Sequence, residues 1–322
     1  MDCIHCGRCT AKCDFLRKYA LDLEGFSSHP ELAYHCFLCG ECTACCPCGI
    51  DGVQIALDLR KARIQEASAF RSLPEAKPLR LTVLEKQDYL FRNYRHAASG
   101  AVLFPGCNFP SFFPETTKLL SRLLWETAGI GTVMDCCGKP IMELGMEENA
   151  EKISAGLSDR LRRAGVTEVI VLCPNCFAYL RKHLDLPVVS IYEKLRELKL
   201  VSPISRERFD LFLPCPDRQS REMLETASPL LNGTLRPIRG IQCCGLGGCA
   251  SAAEPELAAG FSEKLRKKEL ETVYTYCASC AGNLSRGGVE GVRHLLPELL
   301  GTGERPAEGI RSLLNRAAAK FK

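Results

Sequence analysis

Residues 36–47 carry four regularly spaced cysteines, in the pattern Cys36-x-x-Cys39-x-x-Cys42-x-x-x-Cys46-Pro47. A second copy of this spacing opens the chain, at Cys3, Cys6, Cys9 and Cys13. The two-residue gaps let three sulfur atoms close round one face of a metal cluster, and the fourth ligand then comes from a separate segment. The sequence therefore predicts a domain built round two metal clusters.

This spacing is typical of ferredoxins with two [4Fe-4S] clusters, in which the fourth cysteine of each run binds the other cluster. We therefore predict two cubane sites, the first at Cys3, Cys6, Cys9 and Cys46 and the second at Cys36, Cys39, Cys42 and Cys13. Two zinc sites are the alternative, because Cys-x-x-Cys pairs also bind zinc. The third regularly spaced cysteine of each run favours iron–sulfur clusters.

Composition limits the class of protein. The 322 residues are 46% hydrophobic and 25% charged, as in ordinary globular proteins. A net charge of +4 is too small to predict binding to nucleic acid or to a membrane surface. Cys3 leaves no room for a signal peptide, and no apolar run of about eighteen residues is present. We expect a cytoplasmic protein without a transmembrane segment, whose association with a membrane would need a partner.

Local patterns divide the chain into domains. We predict a mainly helical two-cluster ferredoxin-like domain at residues 1–70, a linker at 71–100 and a C-terminal helix at 301–322. The clearest helix covers residues 51–70, with Asp51 as N-cap, an apolar stripe on one face and Arg60 among the charged residues opposite. Within the linker, residues 81–96 are predicted to form a helix.

Residues 101–205 and 206–300 show short apolar runs in alternation with helical patterns. Such alternation predicts two α/β units with Rossmann-like parallel sheets, so that the whole chain is an α+β multidomain protein. The predicted strands cover 101–104, 132–134, 168–172, 209–213, 235–238 and 272–276. The predicted helices cover 115–128, 147–164, 218–231 and 254–271. Pro237 suits only an edge strand.

The cysteines of these two units form a repeat. The first unit carries Cys107, Cys136, Cys137, Cys173 and Cys176, and the second carries Cys215, Cys243, Cys244, Cys277 and Cys280. The offsets between matching positions are 108, 107 and 104 residues. A near-constant offset indicates a duplicated unit. Ligands bind at the carboxyl ends of strands in α/β folds, so each unit is expected to gather five thiols there, and the two sets could face each other.

Five thiols in each unit suit more than one metal. Buried free thiols are disfavoured, because ten cysteines repeat in register. A four-thiolate zinc site in each unit remains an alternative, although it leaves the fifth cysteine without a role. Cys136-Cys137 and Cys243-Cys244 require a sharp turn if both side chains are to reach one metal centre, and Gly138 and Gly245 supply the backbone freedom for it.

At these residues the chain resembles the CCG-domain proteins, and within them the heterodisulfide reductases. The resemblance covers about residues 1–300 and corresponds to a ferredoxin-like C subunit fused ahead of a catalytic B subunit. It implies that each five-cysteine set binds a non-cubane [4Fe-4S] cluster. It also implies that a disulfide is reduced between these clusters by single electrons from the cubane clusters.

Two features depart from the family pattern. The second unit is compressed on both sides of Cys243-Cys244, and Cys215 is followed by Pro216 where many relatives have a histidine. Three further cysteines, Cys45, Cys48 and Cys249, have no assigned role. Cys45 and Cys48 are interpreted as packing residues, and Cys249 as a candidate redox thiol near the second set.

The preferred hypothesis is an iron–sulfur oxidoreductase subunit that reduces or forms a disulfide within a larger complex. No nicotinamide or flavin fingerprint is present in the sequence, so a flavin- or iron–sulfur-containing partner would exchange electrons with it. The first alternative is an electron relay to quinone beside a flavoprotein dehydrogenase for glycolate, lactate or glycerol 3-phosphate. The second alternative is a scaffold in which one or both CCG sites hold zinc.

Overall fold

The computed structural model describes residues 2–318 and Lys320. Its amino-terminal part is helical, with a short helix within each cysteine run, two more short helices after the first run and one long helix after the second. These helices are α1 (Arg8–Lys12), α2 (Asp14–Lys18), α3 (Leu23–Ser27), α4 (Glu41–Cys45), α5 (Gly52–Glu66) and α6 (Arg80–Gln87). Asp51 caps α5 as predicted, because its carboxylate accepts hydrogen bonds from the Val53 and Gln54 amides.

The first α/β unit contains a five-stranded sheet. Its elements are β1 (Asn93–His96), β2 (Gly100–Phe104), α7 (Phe109–Phe112), α8 (Pro114–Ala128), β3 (Gly131–Met134), α9 (Lys139–Met142), α10 (Glu147–Arg163), β4 (Val166–Val171), α11 (Pro174–His183), β5 (Val188–Ser190) and α12 (Ile191–Glu197). The strand order is β1-β3-β2-β4-β5. Only β1 is antiparallel to its neighbour, and the remaining pairs are parallel.

The second α/β unit contains a four-stranded, fully parallel sheet of order β7-β6-β8-β9. Its elements, with the last described helix, are β6 (Ile204–Leu211), α13 (Glu222–Ala227), β7 (Leu231–Pro237), α14 (Ala250–Ala253), α15 (Pro255–Arg266), β8 (Val273–Thr275), α16 (Ala278–Arg286), β9 (Val292–His294), α17 (Leu295–Leu299) and α18 (Gly309–Ala318). Strand β7 lies at the sheet edge, which confirms the position predicted from Pro237. Two duplicated α/β units with parallel sheets are therefore present.

Several local predictions were wrong. Residues 93–96 form strand β1, paired with β3, instead of continuing a helix from residue 81. The predicted helix 218–231 is reduced to α13, with single 3-10 turns before and after it. Strands β1, β5 and β9 were not predicted. Of the predicted C-terminal helix 301–322, residues 301–308 are not helical, α18 covers Gly309–Ala318, and residues 319, 321 and 322 lie outside the described residues.

The helical part packs directly on both α/β units. Arg60 was predicted on the solvent face of its helix, and this was wrong, because its side chain is fully buried. Its guanidinium donates to the carbonyl oxygens of Ala33 (2.9 Å), Cys36 (2.8 Å) and Glu143, and it lies over the ring of Tyr34. One buried cation thus joins three separate segments.

A buried carboxylate makes the corresponding link to the second unit. Glu254 is 1% exposed, and it accepts hydrogen bonds from the Lys18 ammonium (2.5 Å) and the Tyr19 hydroxyl (2.7 Å). His35 Nδ1 lies 2.7 Å from the same carboxylate. Burial alone would raise the pKa of Glu254, but these partners lower it, so the group stays ionised. In the described part of the chain, no helix is long and apolar enough to cross a membrane.

Replacement of Arg60 tests its role in joining the segments. We expect Arg60→Met to lower the free energy of unfolding by about 3 kcal/mol or more, because three buried carbonyl groups lose their donor. Lys61→Met is the matched control on the same helix, where an exposed ion pair with Glu147 should contribute only about 0.5 kcal/mol. Urea unfolding of the anaerobically purified full chain measures both. Equal effects of the two substitutions would contradict this role.

Candidate metal centres

The two amino-terminal cysteine runs share one backbone geometry. His5 and Leu38, at matching positions, have left-handed backbones with φ of 47° and 52°. In each run this turn directs the backbone N–H of that residue to the sulfur of the first cysteine, at 3.4 Å from Cys3 and from Cys36. Left-handed conformations are unfavourable for residues with a side chain, so their repetition indicates a shared functional constraint.

The first run lies beside the end of the second run. One surface depression is lined by all four cysteines of the predicted first cubane site, together with Cys48. These four cysteines are Cys3, Cys6, Cys9 and Cys46. The crossed arrangement predicted from the spacing therefore corresponds to a real juxtaposition in the fold. Four thiols of this kind suit an iron–sulfur cluster or zinc.

The predicted second cubane site is buried. Cys13, Cys36, Cys39 and Cys42 all have exposures below one tenth and lie close enough to influence one another's pKa. Burial raises the pKa of Cys36 to about 11 and raises the pKa of Cys13, Cys39 and Cys42 as well. Unpaired thiolates would be costly here, so this donor set is suited to a bound metal that neutralises it.

In each α/β unit, the cysteines follow three neighbouring strands. Cys107, Cys136-Cys137 and Cys173 come after β2, β3 and β4. Cys215, Cys243-Cys244 and Cys277 come after β6, β7 and β8. Because all these strands run parallel, their carboxyl ends bring the five thiols of each unit to one edge of its sheet.

Glycines make the paired cysteines possible. Gly138 and Gly245 have φ of 92° and 88°, so the predicted sharp turns after Cys136-Cys137 and Cys243-Cys244 are confirmed. A Cβ atom at Gly245 would lie 2.8 Å from the carbonyl oxygen of Ala258. Both backbone conformation and space therefore require glycine there.

The two five-cysteine sets meet. Cys173, from the first unit, and Cys277, from the second, lie next to each other. Contacts with Cys176 and then Cys277 lower the pKa of Cys173, and the contact with Cys173 raises the pKa of Cys277. Asn175 Nδ2 also approaches Cys277 Sγ, at 3.9 Å. On one side of this junction, Cys173 neighbours Cys176, which neighbours Cys137. On the other side, Cys277 neighbours Cys280, which neighbours Cys244. The two units therefore share one thiol-lined interior region.

Positive charges surround the thiols. Lys86 is buried near Cys107 and Cys136, and although burial opposes its charge, these groups keep its pKa raised. Arg316 lies near Cys107 in the same way. Lys139 is half-buried near both Cys137 and Cys215, one from each set. Although burial opposes its charge, its pKa is raised chiefly by its ion pair with Glu143 and further by these thiols. Such cations would stabilise thiolates and anionic clusters.

Two buried donors near the junction form no hydrogen bond of good geometry within the described residues. They are Nε2 of His294 and the hydroxyl of Tyr192. His294 Nδ1 accepts the Leu296 amide at 3.1 Å, so its proton is on Nε2. His294 lies near Cys173, and Tyr192 lies near Cys277. The ring of His294 also lies close to the Tyr276 backbone, whereas the Tyr192 hydroxyl is without a partner in the described part of the chain, which fits a site that holds an additional acceptor group.

The residues that precede the paired cysteines differ between the two units. Asp135 is fully buried, accepts the Cys136 amide at 2.8 Å and pairs with Arg160 and the Tyr94 hydroxyl at 2.9 Å each. Gln242 occupies the matching position and instead contacts the predicted second cubane site. Their place directly before Cys-Cys-Gly could have identified both from the sequence. Lys86 and Arg316 carried no motif, so sequence reasoning missed them.

The unassigned cysteines lie apart from both five-cysteine sets. Cys249 is buried in an apolar cluster with Tyr34, Phe70 and Ile141, which indicates packing and gives no support to a redox role near the second set. Cys45 is half-buried, whereas Cys48 is exposed, so the packing interpretation of Cys48 was wrong. None of the 21 cysteines, all of which lie within the described residues, forms a disulfide.

Comparison with known proteins identifies the repeated unit. The model of the CCG cysteine-rich domain matches residues 101–181 and 210–285, that is, once in each α/β unit. The chain is thus a protein with two CCG domains. Proteins similar to this chain include heterodisulfide reductase subunits.

Three relatives illustrate what the whole chain is similar to. An uncharacterized iron–sulfur protein of Methanococcus maripaludis is 23% identical, over 84% of this chain and 63% of its own length. A fumarate reductase (CoM/CoB) subunit of Methanothermobacter marburgensis is 25% identical, over 86% of this chain and 66% of its own length. A dihydromethanophenazine:CoB–CoM heterodisulfide reductase subunit of Methanosarcina barkeri is 24% identical, over 83% of this chain and 77% of its own length. The chain spans slightly less than two thirds of the first two relatives.

The second predicted cubane site can be tested by adding one methyl group at Gly52. A Cβ atom at Gly52 would lie 2.5 Å from Cys42 Sγ and 2.6 Å from a methyl carbon of Leu23. We expect Gly52→Ala to lose about four irons per chain, because Cys42 must move away from the other three thiols. Gly260→Ala is the matched control, since nothing lies within 4 Å of its Cβ position. Iron content equal to the wild type in Gly52→Ala would contradict the assignment.

Proposed function

We propose that the chain is an iron–sulfur oxidoreductase subunit of the heterodisulfide reductase type, acting on a disulfide or its two thiols. In this proposal two cubane [4Fe-4S] clusters are held by the two crossed sets of amino-terminal cysteines. Two non-cubane clusters are held by the five-cysteine sets of the CCG domains. The amino-terminal part then corresponds to a ferredoxin-like domain of about residues 1–70.

The observation that carries the proposal is the contact between the two five-cysteine sets. Ten thiols from two separate sheets converge on one interior region, with Cys173 and Cys277 as neighbours. Two isolated structural metal sites would not require the sheets to face each other in this way. A shared region between two redox centres, in contrast, suits a substrate that accepts two electrons.

The donor set supports iron–sulfur clusters as the bound groups. Thiolates are the usual ligands of such clusters. Within the described residues, the cysteines are unpaired and mostly buried, so metal binding would offset the cost of their charge. The five thiols in each unit exceed the four that a tetrahedral zinc site uses. Names of relatives add support, because one is an iron–sulfur protein and others are reductases linked to CoM and CoB.

When bound, iron–sulfur clusters supply single electrons, and two electrons with two protons convert one disulfide into two thiols. The side chains at the junction would bind and orient the reacting sulfur atoms. His294 Nε2–H and the Tyr192 hydroxyl are buried donors near Cys173 and Cys277. They are therefore the candidates to donate hydrogen bonds to a thiolate as it forms. The buried surroundings would exclude water from the site.

The proposal also requires a redox partner. The sequence carries no flavin or nicotinamide fingerprint, so a flavin- or iron–sulfur-containing subunit would exchange electrons with the amino-terminal clusters. Relatives are named as subunits of reductases, which supports function within a complex.

Metal analysis tests the cofactor assignment. We expect the anaerobically purified full chain to contain roughly sixteen irons with equal sulfide, the content of four [4Fe-4S] clusters. Electron paramagnetic resonance of the oxidised protein should show a new signal when a thiol substrate is added. Roughly eight irons with about one or two zincs would contradict the proposal and indicate structural CCG sites.

Two ligand variants test where the chemistry occurs. We expect Cys136→Ala and Cys243→Ala to reduce the rate of disulfide reduction by more than about tenfold with reduced viologen as donor, while the cubane signals persist. Cys249→Ala is the matched control, because this buried cysteine lies outside both sets. Unchanged disulfide reduction in both ligand variants would remove the catalytic role and leave an electron relay.

A further inference from the structure

We infer that Gln242 is a positioning residue that joins the second cubane site to the second CCG domain and raises the reduction potential of the cluster there. The inference rests on the proposed iron–sulfur cluster at Cys13, Cys36, Cys39 and Cys42. It does not depend on disulfide reduction. Neither the family match nor the cysteine motifs assign a role to this glutamine.

The side chain of Gln242 lies between two segments of the helical part. It is 5% exposed, and its Nε2 atom lies 3.7 Å from Cys13 Sγ and 3.6 Å from Cys39 Sγ. These two cysteines come from different runs, and both belong to the second cubane site. A single amide group therefore donates to two sulfur atoms of one proposed cluster.

The orientation of the amide follows from its other contact. The backbone N–H of Asp14 donates to Oε1 of Gln242 at 2.7 Å. This donor requires an oxygen opposite it, so the NH2 group must be the end that faces the sulfur atoms. The buried position leaves the amide little freedom to rotate away.

A second residue holds the main chain of Gln242 in place. Arg218 Nη1 donates to the Gln242 carbonyl oxygen at 2.6 Å and to the Glu41 carboxylate at 3.0 Å. Glu41 lies in helix α4, between Cys39 and Cys42 in the chain. The arginine thus ties the segment before Cys243 to the run that carries the cubane ligands.

Comparison of the two CCG domains shows that this link belongs to the second domain. Gln242 directly precedes Cys243-Cys244-Gly245, and Asp135 directly precedes Cys136-Cys137-Gly138. Asp135 pairs with Arg92, Tyr94 and Arg160 around its own sheet. The duplicated position has therefore acquired a different role in the second domain, where it contacts cubane ligands and is covalently next to a CCG ligand.

Hydrogen bonds to the sulfur ligands tune an iron–sulfur cluster. Reduction adds negative charge to the cluster and its sulfur atoms, so a donated N–H stabilises the reduced form more than the oxidised form. Loss of both N–H donors should lower the reduction potential of this cluster. The other cubane cluster, held by the set that includes Cys3, should keep its potential.

The test is a redox titration of the full, anaerobically purified chain followed by electron paramagnetic resonance. Gln242→Met keeps the length of the side chain but removes both donors, and one of the two cubane potentials should shift to a lower value. Gln219→Met is the matched control. Its amide lies at the same interface but donates to the Gly40 carbonyl oxygen at 3.0 Å instead of to a sulfur atom, so both potentials should stay unchanged.

A second measurement uses the wild-type protein, so its main result does not depend on whether a variant folds. With ¹⁵N in the glutamine side-chain amides, pulsed resonance of the reduced cubane clusters should detect one coupled ¹⁵N nucleus, and Gln242→Met should lack it. Normal potentials in Gln242→Met together with no ¹⁵N coupling in the wild type would overturn the inference. Absence of the cubane signals themselves would instead contradict the cluster assignment on which it rests.

Discussion

The contact between Cys173 and Cys277 constrains the whole arrangement of this protein. For these thiols to meet, the carboxyl ends of two parallel sheets must face each other. The thiols there are buried, and cations such as Lys86 and Lys139 stand beside them. Thiolates in a protein interior are tolerated only where metal ions or compensating charges stabilise them. The geometry fits the proposed chemistry between two redox centres.

The helical amino-terminal part is attached through buried polar groups. Arg60 donates hydrogen bonds to three carbonyl oxygens. Glu254 accepts hydrogen bonds from Lys18 and Tyr19. The Gln242 amide contacts the sulfur atoms of Cys13 and Cys39. Such contacts are directional, so they determine the relative position of the joined segments more strictly than apolar packing does. Electron transfer between centres depends on their separation, and a rigid junction would keep that separation constant.

Residues with strong local signals were predicted well. The strands β2, β3 and β4, the turns at Gly138 and Gly245 and the cap at Asp51 all depend on short-range chemistry. Predictions were wrong where contacts with distant parts of the chain determine the local structure or the burial of a side chain. Residues 93–96 form a strand because β3 offers an edge with which they pair. Arg60 is buried because carbonyl groups from distant segments converge on its position, and nothing in its own helix indicates this.

By itself, the sequence determined the number and grouping of the cysteines, the duplication of the α/β unit and the class of chemistry. The spacing of ligands along a chain is a local property. It can be recognised in the sequence because each short turn must place its sulfur atoms where one metal centre can bind them. Only the tertiary structure decided that the two five-cysteine sets meet and that Lys86, Arg316 and Gln242 lie against the thiols. These contacts join residues far apart in the chain, and their energies depend on burial and packing, which no local pattern encodes.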